Sequence, residues 1–155
     1  MVSTPIDEEF SGNVLGFARF VEHSMHQRDA SHDMTHVRNV VAHYRRIASS
    51  PNFTPHMRLV GELGALGHEL CDRKYTASSE KSDVLAKTKR VLDGLGFTTP
   101  VVASAVYMIP LISFTRRVEH GVPCLFGDER AVYLAVSDAD MLEALGVTGF
   151  VRTFM

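Results

Sequence analysis

Apolar side chains recur along this chain every three or four residues, the spacing of one face of an α-helix. Thr4 and Pro5 suit a helix start, because threonine caps helices and proline fits the first helical position. The first helix is therefore predicted to run from this pair to about His26. Its apolar face would consist of Phe10, Val14, Phe17, Val21 and Met25.

Five further helices follow from the same spacing combined with start and stop signals. Their predicted starts are Ser31, Thr54-Pro55, Ser78 or Ser79, Thr99-Pro100 and Asp128. The third helix is expected to pass through His68, and the sixth to end near Leu145. Gly94 and Gly96 stop the fourth, and Pro110 must kink or shorten the fifth. No stretch alternates as a strand does, so the predicted class is all-α, an irregular helical bundle of five to seven helices.

Composition narrows the function classes. The chain has 155 residues, of which 45% are apolar and 22% charged, which is ordinary for a single globular domain over residues 1–155. Lys and Arg number 16 against 18 Asp and Glu, and the net charge is −2. This balance does not call for a nucleic acid or an anionic membrane as partner. A small-molecule substrate is expected instead.

Three observations predict a cytoplasmic protein. The N-terminus lacks the basic start and apolar run of a signal peptide. The longest apolar run, Val101 to Phe114, is interrupted by Pro110 and is too short to cross a bilayer. Cys71 and Cys124 are too few for a disulfide framework and are expected to be reduced thiols.

Three short segments contain residues that could carry chemistry. The first is the start of the second predicted helix, where His32 and His36 lie one turn apart on the same face, with Asp33 at its edge. The second is a histidine beside a carboxylate, His68 and Glu69, inside an otherwise apolar helix. Side chains of these types ligate divalent metals, imidazole suiting borderline ions and carboxylate harder ones.

The third segment is the apolar sixth helix, which contains Asp138 and Asp140. At about 100° per residue the two carboxylates point roughly 200° apart, so only one of them can face a shared site. Burying imidazoles and carboxylates from three apolar helices is costly unless something compensates their charge. A divalent cation where they meet is the simplest compensation.

Each segment also has an ordinary structural interpretation. His32 and Asp33 are typical of a helix start, where an acid complements the helix dipole. His68 is equally typical of a buried histidine satisfied by hydrogen bonds. At least one of Asp138 and Asp140 must be a structural or solvated acid. Spacing alone leaves both interpretations open.

The order of these segments resembles the HD-domain superfamily and, within it, the small bacterial-type HD hydrolases. The family pattern is His-Asp-x-x-His, then His-Asp-x-x-Asp-x-Lys-Tyr/Phe, then Ile-Ser-Phe, then Asp-Ala-Asp-x-Leu-x-Ala-x-Gly. The corresponding segments here begin at His32, His68, Ile112 and Asp138. The resemblance covers roughly residues 29–154 and implies an HD-like helical fold.

The resemblance also implies a site with one divalent metal ion, with Mn, Ni, Co, Fe, Mg and Zn all open. The implied metal ligands are His36, His68, Glu69 and Asp140. The implied catalytic residues are Glu69, Asp72 and Lys74. The implied substrate-binding residues are His32, Lys74 and Asp138. The implied reaction is hydrolysis of a phosphoester or phosphoanhydride on a small phosphorylated substrate, a nucleotide above all.

Four departures from the family pattern leave the activity open. Glu69 is one methylene longer than the family's aspartate, a difference that can move a reacting group by about 1 Å and cost about 100-fold in rate. Leu111 replaces a histidine, and Asn39 replaces an arginine. The chain ends at Met155, soon after the last motif, and is expected to be truncated relative to such relatives. Two alternatives therefore stand beside the phosphohydrolase: a degenerate HD domain that binds a nucleotide or a partner without catalysis, and a helical scaffold with an incidental histidine cluster.

Overall fold

The computed structural model describes residues 6–26, 34–71 and 78–146, and these fold into helices joined by short connections. The α-helices are α1 (Ile6–Glu9), α2 (Gly12–Met25), α3 (Met34–Ile47), α4 (Pro55–Gly67), α5 (Lys81–Gly94), α6 (Thr99–Met108), α7 (Phe114–His120) and α8 (Gly127–Ala144). Short 3-10 helices cover His68–Cys71, Ser78–Glu80 and Ile109–Leu111. Within these ranges there is no strand. The predicted all-α, irregular bundle is confirmed, with eight α-helices in the described residues instead of five to seven.

The predicted first helix is two helices in the structure. Ser11 has an extended backbone with φ −138° and ψ 163°, and Gly12 has φ +59°, a left-handed value that glycine adopts without a steric penalty. The chain therefore turns between α1 and α2. Phe10, on the α1 side of the turn, is buried in the core. The spacing of apolar residues missed this break because Phe10 stays apolar and inward on either interpretation.

The start of α4 follows its sequence signal. The Thr54 hydroxyl accepts a hydrogen bond from the Met57 amide at 3.1 Å, and Pro55 occupies the first turn. The end of this helix differs from the prediction: α4 stops at Gly67, and His68 and Glu69 lie in the 3-10 helix that follows. Tightening of the last turn into a 3-10 helix is common at helix ends.

Helix α7 was not predicted from the sequence. Pro110 ends α6 in a 3-10 turn, and a new helix starts at Phe114, where the Ser113 hydroxyl accepts a hydrogen bond from the Arg116 amide at 3.2 Å. No residue of α7 is buried. A helix without a buried face has no apolar periodicity, so the pattern that revealed the other helices could not reveal this one.

Three helices pack together and position the candidate residues. Helix α3 packs against both α4 and α8, and α4 also packs against α8. Helix α4 is buried along most of its length, and its glycines allow close approach. Gly61 faces the ring of Tyr44, whose hydroxyl donates to the Met57 carbonyl at 2.6 Å, and Gly67 lies against Ile109. This close packing brings the end of α4 near α3 and α8.

The structure can be compared with the expectations about membrane-spanning helices and about disulfide bonds. Among the described residues no single helix has the length and apolar character needed to cross a membrane; only Thr99–Leu111 together with Phe114–His120, bent by 70°, meets that test of length and composition. Cys71 is buried, Cys124 is exposed, and neither forms a disulfide.

The contact between Gly61 and Tyr44 predicts a large effect of one methyl group. A Cβ at Gly61 would overlap the Tyr44 ring, so Gly61→Ala should destabilise the protein by about 1–3 kcal/mol or more. At Gly94, the last residue of α5, an added Cβ meets nothing within 4 Å, and Gly94→Ala should be neutral or stabilise by about 0.5 kcal/mol. Urea unfolding measures both variants. Equal stabilities would contradict the packing described here.

Candidate metal centre

The first candidate ligand, His36, lies near the start of α3 and faces α8. Its Nε2 lies 3.1 Å from Oδ1 of Asp140 and 3.5 Å from Oε1 of Glu69. About 17% of the His36 side chain is exposed, against 7% for Glu69 and 8% for Asp140. His36 therefore forms the solvent-facing side of a group whose other members are buried.

The second candidate ligand, His68, is held by the turn that ends α4. Its Nδ1 lies 2.6 Å from the Ala65 carbonyl oxygen. Because a carbonyl only accepts, Nδ1 must donate, and in the neutral ring the proton is then on Nδ1. The other nitrogen, Nε2, presents a lone pair toward Oε1 of Glu69 at 3.2 Å and Oδ1 of Asp140 at 3.5 Å.

This Nε2 atom of His68 is the most informative atom of the site. It is fully buried, and among the described residues it finds no partner with hydrogen-bond geometry. A neutral imidazole would point its lone pair at two carboxylates, which is repulsive. A positive charge is needed where these atoms meet, either as a proton on Nε2 or as a cation between the side chains.

The predicted metal ligands converge. His36, His68 and Glu69 each offer one donor atom, and these three atoms lie within 4.8 Å of one another. Asp140 adjoins this group through Oδ1, which is near Nε2 of both histidines. The two imidazole rings meet edge to face, with centroids 5.5 Å apart. We call these four residues the His–carboxylate cluster, and its His36–His68–Glu69 part can hold a metal ion.

Charge attraction outweighs burial inside the cluster. Burial lowers the pKa of His68, but the Asp140 and Glu69 carboxylates together raise it well above its ordinary 6.5. Burial likewise raises the pKa of Asp140, but the two histidines pull it below its ordinary 3.8. Both shifts favour a protonated His68 beside an ionised Asp140 when no metal is bound. A metal ion would replace that proton.

The two acids of α8 occupy different environments. Asp140 is buried in the cluster, whereas about 54% of the Asp138 side chain is exposed. Asp138 accepts a hydrogen bond from Nη1 of Arg117 at 2.7 Å, and the same nitrogen donates to the Ser137 hydroxyl at 2.8 Å. The structure therefore does not bring Asp138 to the cluster, as the helical period requires for one of the two. The other predicted substrate and catalytic residues, His32, Asp72 and Lys74, lie outside the described residues.

One group of residues beside the cluster was missed in the sequence. Glu143 lies one turn after Asp140. Its Oε1 accepts a hydrogen bond from the side-chain amide of Asn39 at 2.9 Å, and its Oε2 lies 3.3 Å from Nε2 of His43. His43 lies outside the three segments with candidate chemistry, and in the sequence Asn39 is only a departure from the family pattern. The matching three-residue steps, His36 to Asn39 and Asp140 to Glu143, are the signal that could have revealed the contact.

Comparison of the chain with protein-family models, with curated proteins and with solved structures finds no match. The resemblance of its motif order to HD domains stays a prediction. The chemistry of the cluster is therefore argued from its geometry.

The opposite pKa shifts of His68 and Asp140 predict how the metal-free protein responds to pH. The contribution of His68 to stability is fully present below pH 6.5 and is lost as pH rises through the raised pKa. The contribution of Asp140 is present above pH 3.8 and is lost as pH falls through the lowered pKa. The two residues should therefore stabilise the folded protein most between pH 3.8 and pH 6.5.

Urea unfolding of the wild type in the presence of a chelator, repeated at several pH values, measures this dependence. The wild type should lose stability on the alkaline side, and His68→Gln should remove most of that loss because glutamine does not titrate. An alkaline loss of the same size in both proteins would contradict the assignment.

Proposed function

We propose that the His–carboxylate cluster binds one divalent metal ion and that the protein is a metal-dependent phosphohydrolase. The observation that carries the proposal is the buried Nε2 of His68, which faces two carboxylates and lacks a hydrogen-bond partner in the described structure. The cluster needs a positive charge at that point. A divalent cation meets this need for all four side chains at once.

The donor set suits a transition metal. Two imidazole nitrogens favour borderline ions such as Fe, Co, Ni and Zn, and two carboxylates extend the range toward Mn. The hydrogen bond from Nδ1 of His68 to the Ala65 carbonyl is the usual support for a ligating histidine, because it fixes the ring and leaves Nε2 free to bind. The residues present therefore fit a metal.

The charge and the accessibility of the cluster are compatible with the substrate class that the family resemblance implies. A bound divalent cation would act as a Lewis acid and would lower the pKa of a water molecule on it to about 7. Both effects suit hydrolysis of phosphoesters and phosphoanhydrides. Glu69 and Asp140 would repel a phosphate if they were not neutralised. The cluster is more exposed at His36 than elsewhere, so a substrate would approach past this side chain. A nucleotide, which carries its phosphates at one end, is the substrate proposed from the family resemblance.

Binding without hydrolysis is a second candidate function. Leu111 lies in the 3-10 helix after α6, is partly buried against the core, and has no polar group to offer a substrate. Glu69 is longer than the family's aspartate and places its carboxylate differently. These two residues favour a domain that keeps metal and ligand but turns over slowly or not at all.

The test is metal analysis of the purified protein, combined with a phosphate-release screen over nucleotides in Mn²⁺ or Ni²⁺. The wild type should contain about one ion per chain, and chelator should lower its Tm, since a metal bound only to the folded state stabilises it. His68→Ala should abolish both the metal content and the phosphate release. His56→Ala is the matched control, because His56 is exposed at the other end of α4, and it should change neither.

The outcomes separate the candidate functions. Metal and phosphate release that both depend on His68 support the hydrolase. Metal and nucleotide binding without release favour the second candidate, and Glu69→Asp combined with Leu111→His should then raise the release. A wild-type protein with no metal and no Tm shift in chelator would exclude both.

A further inference from the structure

The buried face of α8 ends at the metal centre. Asp140 is the last buried residue of this helix, and in the described stretch from Met141 to Gly146 every residue is half-buried or exposed. Leu142 and Leu145 are among the exposed large apolar residues. Within the described residues, the final turn of α8 therefore places no fully buried apolar side chain in the core. Helix ends without such packing fray, and here the ligand Asp140 lies directly before the unpacked turn.

A side chain of this final turn, Glu143, contacts a neighbouring helix. Glu143 reaches α3, where Oε1 accepts from the Asn39 amide at 2.9 Å and Oε2 lies 3.3 Å from Nε2 of His43. Asn39 and His43 are one turn apart on α3, on the face that also carries His36. The carboxylate thus spans two successive turns of α3 with its two oxygens.

The contacts between the two helices run in register. His36 meets Asp140, and three residues further along each helix Asn39 meets Glu143. Helices α3 and α8 therefore run in the same direction at this point. Glu143 and Asp140 lie on the same helix. A contact that holds Glu143 against Asn39 and His43 therefore also fixes the rotation of α8 about its axis and its position along α3, and with them the position of Asp140 beside His36.

We propose that Glu143 is a positioning residue of the metal centre, which keeps the end of α8 on α3 and thereby holds Asp140 in place beside His36. This inference rests on the proposed function, because it assigns a role toward the same metal. Glu143 itself lies outside the cluster and is not a ligand.

The proposed role separates affinity from stability. The side chains of Glu143 and His43 are about a quarter exposed, and a partly exposed polar contact of this kind contributes little to global stability. A metal site, in contrast, requires its ligands to stay within about 0.5 Å of their positions. Loss of Glu143 should therefore weaken metal binding much more than it weakens the fold.

The first measurement compares Mn²⁺ affinity by isothermal titration calorimetry in the intact chain. Glu143→Ala should bind Mn²⁺ about tenfold more weakly than the wild type, the effect typical of removing a residue that supports a ligand. Glu143→Gln keeps an acceptor for Asn39 and should recover most of the affinity.

Glu62→Ala is the matched control. Glu62 lies on α4 and accepts a hydrogen bond from Nε of Arg45 on α3 at 2.6 Å, so it also connects a neighbouring helix to α3. Helix α4, unlike the end of α8, is anchored by buried residues along its length. Glu62→Ala should lower the Tm about as much as Glu143→Ala and leave Mn²⁺ affinity unchanged.

The second measurement does not depend on metal. A double-mutant cycle with His36→Gln and Asp140→Asn, in chelator, gives the coupling between these two side chains. The coupling should be lost in a Glu143→Ala background and retained in a Glu62→Ala background. If the wild type binds no Mn²⁺, the proposed function fails, and this cycle still decides the role of Glu143.

Two results overturn the inference. One is a coupling between His36 and Asp140 that persists at its wild-type size in Glu143→Ala. The other, in a wild type that binds Mn²⁺, is an unchanged affinity in Glu143→Ala or an equal loss in Glu62→Ala. Loss of coupling confined to the Glu143→Ala background, together with weakened affinity wherever the wild type binds, supports it.

Discussion

The structure depends on a positive charge between the imidazole of His68 and the carboxylates of Glu69 and Asp140. These groups are buried together, and the hydrogen bond from Nδ1 of His68 to Ala65 fixes the ring so that Nε2 faces the two acids. A neutral ring would be repelled at that position, and two buried carboxylates without a counter-charge would be strongly destabilising. A proton on His68 would meet this need, and so would a metal ion held by His36, His68 and Glu69.

Burying these charged groups together costs free energy of folding. Close packing of the helices around α4 compensates for that cost. Gly61 lets the Tyr44 ring lie on the helix, and Gly67 lets the turn at Ile109 approach its end. The apolar contacts made there provide the favourable free energy of the fold. The cluster lies at the edge of this packing, where His36 is still partly open to solvent, so a buried charge and an accessible site coexist.

The departures from the family pattern look different once the helices are in place. Asn39 is bound to Glu143 and belongs to the contact between α3 and α8. Leu111 is partly buried against the core, which accounts for an apolar residue at that position. Glu69 reaches the cluster with its longer side chain and lies close to both histidines. Of these three residues, Leu111 and Glu69 bear on the proposed catalysis, while Asn39 bears on the proposed positioning of Asp140.

Local signals in the sequence determined much of this protein. The cap at Thr54, the glycines that stop α5 and the apolar spacing of α3 each act within a few residues, so the helical class could be predicted from them. Spacing also identified the three segments with candidate histidines and acids, and the resemblance of their order to a known family implied His36, His68, Glu69 and Asp140 as the ligands. Only the tertiary structure decided the turn at Gly12, the separate helix α7, the placement of Asp138 with Arg117, and the contact of Glu143 with α3. These features depend on distances between elements far apart in the chain or, for α7, on a helix that buries no face. Spacing along one helix does not encode them, because packing between helices sets which side chains meet.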